Sequence, residues 1–208
     1  MDRKGEVPPL GEMETLQGQF LVAMPLMDDK RFKESVLFII EHNNEGAMAI
    51  AINEQMPKIK FEDVYRDLSS ASDVQNDKDK KIISSSMASQ PVLRGGPVQT
   101  NRGFLLHEAQ EQLEGISFPV TSTIEFSVSM DTLRDFAKKE TPGNILFALG
   151  YCGWQPGQLE NELAHNVWLT VPYDEDLLFV TDFEKRYDFA LELLGITRAN
   201  LSAFSSRA

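Results

Sequence analysis

Ile145-Leu146-Phe147-Ala148-Leu149-Gly150-Tyr151-Cys152-Gly153-Trp154-Gln155-Pro156-Gly157-Gln158-Leu159-Glu160 decides the architecture, because it carries the chain from a buried strand into a helix within a few residues. Residues 145–149 are a short, uninterrupted apolar run, as a strand covered on both faces requires. Leu159, Leu163 and Val167 then recur at four-residue spacing and mark one face of a helix. Pro156 suits the first helical position, where its missing N–H would have had no partner. The helix N-terminus is thereby predicted to point unpaired N–H groups back toward Cys152, the one cysteine of the chain.

Upstream, residues 20–24 read as a strand ended by Pro25, residues 26–34 as a charged connection, and residues 35–42 as a second strand. Asn43-Asn44-Glu45-Gly46 supplies turn residues, and residues 47–53 return as a third strand, so a hairpin is predicted. Ala47, Ala49 and Ala51 share one face of the return strand and invite close approach, while Met48, Ile50 and Ile52 fill core on the other. Phe61, Val64, Tyr65 and Leu68 form the stripe of an amphipathic helix, and residues 69–81 are expected to be a mobile surface loop. Pro91-Val92-Leu93 is strand-like and leads into Arg94-Gly95-Gly96-Pro97; residues 103–107 and 124–128 are further strands.

Ser129 or Asp131 caps a helix through Lys139 with Leu133, Phe136 and Ala137 buried, stopped by Thr141-Pro142-Gly143. Beyond the signature helix, residues 167–171 read as a strand and residues 177–180 as a short edge strand. Thr181-x-x-Glu184 reads as a capping box for a helix that buries Phe183, Tyr187, Ala190, Leu191 and Leu194 and stops at Gly195. Strands and helices mix without strict alternation, which favours α+β over a doubly wound parallel sheet. Residues 1–17 are expected to be a loose arm and residues 18–208 a single domain.

With 208 residues, 42% of them hydrophobic, the chain can bury a substantial core. Its apolar runs fall far short of the about 18 residues that span a bilayer, and no secretory signal is visible, so a cytoplasmic protein without membrane contact is expected. A single cysteine excludes an intramolecular disulfide. The 32 acidic against 20 basic residues give a formal charge of −12, which opposes direct binding to nucleic acid.

Four ordered segments carry a family resemblance: Gly18-Gln19-Phe20-Leu21-Val22-Ala23-Met24-Pro25; residues 35–53 with Glu41-His42 and Gly46-Ala47-Met48; Arg94-Gly95-Gly96-Pro97-Val98 with Gly103-Phe104-Leu105-Leu106-His107; and residues 150–162 with Trp168. Together they resemble the YqgE/AlgH family of bacterial proteins. The resemblance implies a compact α+β fold with a bent, partly barrel-like mixed sheet flanked by helices, and a link to transcriptional regulation mainly by name. Two positions depart from the family pattern: Ala49 stands where a glycine is usual, and Cys152 where members often have another small residue.

Candidate chemistry is sparse. Cys152 beside a helix N-terminus is a candidate reactive thiol, but a small side chain filling space at a strand end is the favoured reading. His42 and His107 are candidate general bases, or strand-end residues that order turns. Arg94, Gly95 and Gly96 could present a guanidinium and backbone N–H groups to an anion, against the plainer reading of a tight turn. Trp154, Gln158 and Glu160 complete the candidate ligand-binding set. Three scattered histidines and one cysteine give no metal-ligand spacing, and no cofactor fingerprint is present. The expected function is non-catalytic binding of a small molecule or protein, or indirect regulation; the alternative is an enzyme of unknown reaction, possibly thiol-dependent.

Overall fold

The computed structural model describes residues 15–25, 27, 29–71, 83–110 and 116–200, with the backbone alone at 68–71. The hairpin forms where the turn residues place it. Strands β1 (Phe20–Ala23), β2 (Val36–Asn43) and β3 (Gly46–Ala51) pair antiparallel in sequence order. At the turn, Asn43 accepts from the Glu45 N–H at 2.7 Å, and Gly46 adopts φ +131, where a Cβ would come within 2.2 Å of the Trp154 carbonyl.

Three further strands, β4 (Gln55–Lys60), β5 (Pro91–Arg94) and β6 (Val98–Glu108), lead to the edge hairpin β7 (Ser117–Pro119) and β8 (Ile124–Ser127). They are followed by β9 (Ile145–Trp154) and β10 (Trp168–Val171). The main path runs β10-β1-β2-β3-β9-β6-β8-β7, with β5 joined to β9 in parallel and β4 beyond it. The fold is α+β, a curled half-barrel of mixed but mostly antiparallel strands with helices packed against it, in one domain.

Strand β9 is the hinge of this architecture, and it is longer than its apolar run implies. Leu146 and Ala148 face one core together with Tyr151, whereas Ile145 and Phe147 face a second core and Cys152 and Trp154 a third. The even-numbered side chains of the first half and the odd-numbered Tyr151 thus share a face. Strict alternation would forbid this, so one residue has been taken out of phase. That residue is Gly150, at φ +76, whose missing Cβ would lie 2.4 Å from the Gly96 carbonyl oxygen. Past this kink the strand leaves β5 and pairs with β3, Ala49 opposite Cys152 and Ala47 opposite Trp154. Tyr151 to Trp154 therefore belong to a strand rather than to a strand–helix turn.

The first core packs beneath helix α5 (Arg186–Leu193), and the third beneath α4 (Gln158–Ala164). The second lies under α1 (Phe61–Ala71), the four-residue α2 (Ser85–Ala88) and α3 (Met130–Lys138). The alanine face of β3 belongs to the third core and the Met48, Ile50, Ile52 face to the first, as the alternation predicted. In α3, Ser129 is the cap, its hydroxyl accepting from the Asp131 and Thr132 N–H groups.

Several expectations are corrected. Helix α4 starts at Gln158 after Gly157 in a left-handed conformation, so Pro156 precedes the helix and Val167 follows it. Asp176–Val180 is a π-helical turn rather than an edge strand. Asp174 Oδ1 accepts from the Leu177 N–H at 2.8 Å, and the turn buries the adjacent Leu177 and Leu178 together, which a strand exposed on one face cannot do. The Thr181 N–H closes that turn on the Asp176 carbonyl, and α5 begins at Arg186 after a 3₁₀ turn, Phe183–Lys185, without a side-chain cap. Of the loop expected at residues 69–81, residues 69–71 continue α1 and the others lie outside the described residues. Of the arm expected at residues 1–17, only 15–17 are described. They are held to His42, through Thr15 Oγ1 on its carbonyl and the Leu16 N–H on its ring.

Candidate functional site

The kink in β9 delivers Cys152 and Trp154 to the floor of a cleft of about 420 Å³, beside Trp168 at the start of β10. Met27, Phe32 and Val167 supply apolar wall, Pro97 of the β5–β6 connection and Val98 at the start of β6 close it, and Asp29 and Arg31 stand at its charged rim. Gln158 and Glu162 enter from α4. The aromatic rings meet edge to face, Phe32 with Trp168 at 5.9 Å and Trp168 with Trp154 at 6.1 Å between centroids.

Glu162 organises this floor. Its Oε2 accepts the indole N–H of Trp154 at 2.8 Å and that of Trp168 at 2.7 Å, while Oε1 accepts from Gln158 Nε2 at 2.8 Å. Gln158 in turn accepts the Gln155 N–H at 3.1 Å, tying the start of α4 to the end of β9. Both tryptophans of the chain are thus fixed on one carboxylate.

Arg31 also borders two neighbouring cavities, of about 370 and 410 Å³. The first includes Arg94, Gly96 and Glu54; the second runs to Tyr187 and Arg198. The Asp29 carboxylate accepts from Arg31 Nε at 3.0 Å and from Nη2 at 2.6 Å. Hydrogen bonding to Arg31 holds the Asp29 carboxyl below its ordinary range. Arg94 pairs with Glu54 at 2.7 Å, again at the surface.

Cys152, Trp154 and Gln158 therefore share one cleft, and Arg94 and Gly96 line a cavity that meets it at Arg31, Phe32 and Pro97. Gly95 acts through its backbone: its N–H donates to the Leu149 carbonyl at 2.8 Å, and its carbonyl accepts from the Ala51 N–H at 2.8 Å and from the Cys152 thiol at 3.4 Å. A Cβ at Gly95 would lie 2.2 Å from the Gly150 carbonyl oxygen, so the pair of glycines lets this connection run against β9. Burial pushes the Cys152 thiol up to about 12. The helix N-terminus assigned to it in the sequence reading lies beyond Gln155, Pro156 and Gly157.

His42 and Glu160 form a separate pair outside the lining of this cleft. The Leu16 N–H donates to His42 Nδ1 at 3.0 Å, so the ring proton sits on Nε2, which donates to Glu160 Oε1 at 2.9 Å. The backbone N–H of Glu160, and beyond it the His42 ring, hold that carboxyl below its ordinary range. His107 is enclosed between β6, β7 and α3. Its Nδ1–H donates to the Glu108 carbonyl at 2.8 Å, Nε2 accepts the Ser117 hydroxyl at 3.1 Å, and Phe136 packs 4.8 Å away. Burial pushes its pKa down. His107 pairs with Ile145, seven residues along β9 from Cys152, a separation of roughly 20 Å at strand rise. Both rings are thus engaged at both nitrogens.

Met27, Asp29, Arg31, Phe32, Glu162 and Trp168 were absent from the sequence candidates. Glu162 carried a signal, lying four residues beyond Gln158 and hence on the same helical face. The segment around Arg31 read only as a charged connection, because its place over β9 is a tertiary fact. Among the described residues no cluster of three or more histidine, cysteine or acidic side chains has the geometry to hold a metal ion. No helix among them is long and apolar enough to cross a membrane.

A UPF0301 protein of Rhodopseudomonas palustris (strain HaA2) is 39% identical over 211 residues, covering 100% of this chain and 95% of that protein. Another, of Yersinia enterocolitica, is 40% identical over 193 residues, covering 93% of this chain and 99% of its own. The solution structure of the AlgH protein from Pseudomonas aeruginosa superposes with a TM-score of 0.72 at 33% identity, over 99% of this chain and 98% of that one. The crystal structure of protein DIP2367 from Corynebacterium diphtheriae, at 16% identity and a TM-score of 0.60 over 88% and 89% of the two chains, shares the fold. The profile described as AlgH-like matches residues 20–199, and the chain belongs to that family.

Proposed function

We propose that the protein is a non-catalytic, cytoplasmic small-molecule-binding protein whose ligand lies in the tryptophan-floored cleft, and that any regulatory effect is exerted through the bound state. The observation that carries this reading is the convergence of β9, β10, α4, the β5–β6 connection and Met27, Asp29, Arg31 and Phe32 on one cavity, its two indoles locked in place by Glu162. A few fixed polar groups within an aromatic enclosure make a pre-formed binding site. The net charge of −12 supports an indirect mode of regulation over direct contact with duplex DNA.

The thiol-enzyme alternative needs a base within hydrogen-bond reach of Cys152. The neighbour within reach of its sulfur is instead the Gly95 carbonyl, at 3.4 Å. Saturation-transfer NMR with small neutral aromatics such as benzyl alcohol and phenol tests the binding reading. Saturable binding that weakens in Phe32→Ala is the expected result. Binding unaffected by that change, or turnover of an ester or thioester substrate that Cys152→Ala abolishes, would overturn it.

A further inference from the structure

The charge arrangement at the rim narrows the ligand, given the small-molecule reading of the cleft. Among the described residues lining this cleft Arg31 is the one cation, against two carboxylates, Asp29 and Glu162. Glu162 is occupied by both indoles and Gln158, which leaves the Asp29–Arg31 pair as the exchangeable element. Its side chains are 67% and 36% exposed for Arg31 and Asp29, and an ion pair so open to water contributes little to the fold. It can part for a ligand without loss of structure.

Ligand charge decides what parting costs. A simple anion would take the Arg31 guanidinium and leave Asp29 the Arg31 backbone N–H, at 3.0 Å, in place of a cation. A simple cation would take Asp29 and leave Arg31 bare. A ligand carrying both charged groups on one carbon replaces one pair by two, its carboxylate on the Arg31 fork and its ammonium on Asp29. The apolar and aromatic wall of Met27, Phe32 and Val167 lies beside that pair in the same cleft. We propose that the cleft binds a free α-amino acid with an apolar, preferably aromatic, side chain, with its zwitterionic head inserted between Asp29 and Arg31. Net neutrality also spares the ligand repulsion by a chain of charge −12.

The test follows the indole N–H resonances of Trp154 and Trp168 in the ¹⁵N-labelled full chain during titration with four probes. These are L-phenylalanine, N-acetyl-L-phenylalanine, phenethylamine and benzyl alcohol. L-Phenylalanine is expected to bind about ten-fold more tightly than each of the others. Arg31→Gln and Asp29→Asn should each erase that preference while leaving the melting temperature and the indole signals of the free protein in place. Equal or tighter binding of the acetylated acid or the amine overturns the zwitterion assignment. If benzyl alcohol matches L-phenylalanine, the assignment falls and the binding cleft stands. If no probe moves either indole resonance, both fall.

Discussion

Replacing Glu162 by alanine removes the acceptor that both tryptophans share. Trp154 is 8% and Trp168 3% exposed, so once the carboxylate is gone water can reach their indole N–H groups only through the cleft. A hydrogen bond to a charged acceptor contributes about 1.5–3 kcal/mol, and an orphaned buried donor costs about 1–3 kcal/mol. Two such bonds are lost, but the cleft opens to solvent beside them, so the lower end applies and Glu162→Ala should destabilise the protein by about 3 kcal/mol. Glu162→Gln keeps an amide oxygen without the charge and should cost about half as much. Gln158→Ala, which removes an exposed partner of Oε1 and the exposed acceptor of the Gln155 N–H, should cost about 1 kcal/mol. Urea unfolding followed by far-ultraviolet circular dichroism measures all three without relying on the perturbed tryptophans. In the ¹⁵N spectrum of Glu162→Ala, both indole resonances should move upfield together. A loss below about 0.5 kcal/mol, or movement of one indole alone, would refute the shared-acceptor geometry.

The remaining predictions concern the thiol, acid stability and two glycines. With its pKa raised from 9.0 to about 12, Cys152 should alkylate roughly 1,000-fold more slowly in the folded than in the unfolded chain near pH 8, and Cys152→Ala should retain the fold; fast labelling of the native protein would contradict this. His107 has its folded pKa depressed below the ordinary 6.5, so the unfolded chain takes the proton first: its contribution is intact above 6.5 and is lost as pH falls through the folded value. Denaturation from pH 7.5 to 5 should show this decline, and His107→Gln should flatten it; an unchanged slope would remove His107 as its source. Gly95→Ala, with a Cβ at 2.2 Å from backbone, should abolish soluble expression or cost more than about 3 kcal/mol, while Gly157→Ala, at φ +75 with nothing within 4 Å, should cost only about 1 kcal/mol of strain. Similar melting temperatures for the two glycine variants would contradict the packing assigned to Gly95.

What was legible in the sequence follows from local physics. Alternation on β3, the Asn-Asn-Glu-Gly turn, the Ser129 cap and the apolar stripe of α3 were all readable, because each is set by neighbours within a few residues. Strand β9 was half legible. Its apolar start announced burial, but Gly150 looked like an end and is a kink, since whether a glycine breaks a strand or lets it change face depends on the backbone packed against it, here Gly96 and Val98. β4 was missed because exposed and half-exposed residues give no alternation, and Asp176–Val180 was misread because two adjacent buried leucines fit either a short strand or a tight turn. Of the residues that line the cleft, Trp154 and Gln158 belong to the signature segment. Arg31 and Asp29 were not legible, since a charged connection has the same composition whether it faces water or rims a cleft.

The most direct measurement uses the placement of both tryptophans in the floor of the cleft. Emission excited at the red edge of indole absorption comes from that floor alone, and benzyl alcohol contributes none there. Titration with benzyl alcohol should change the emission saturably in the native protein and much less in Phe32→Ala. A strictly linear, collisional response, identical in the two proteins, would contradict a binding cleft at this position.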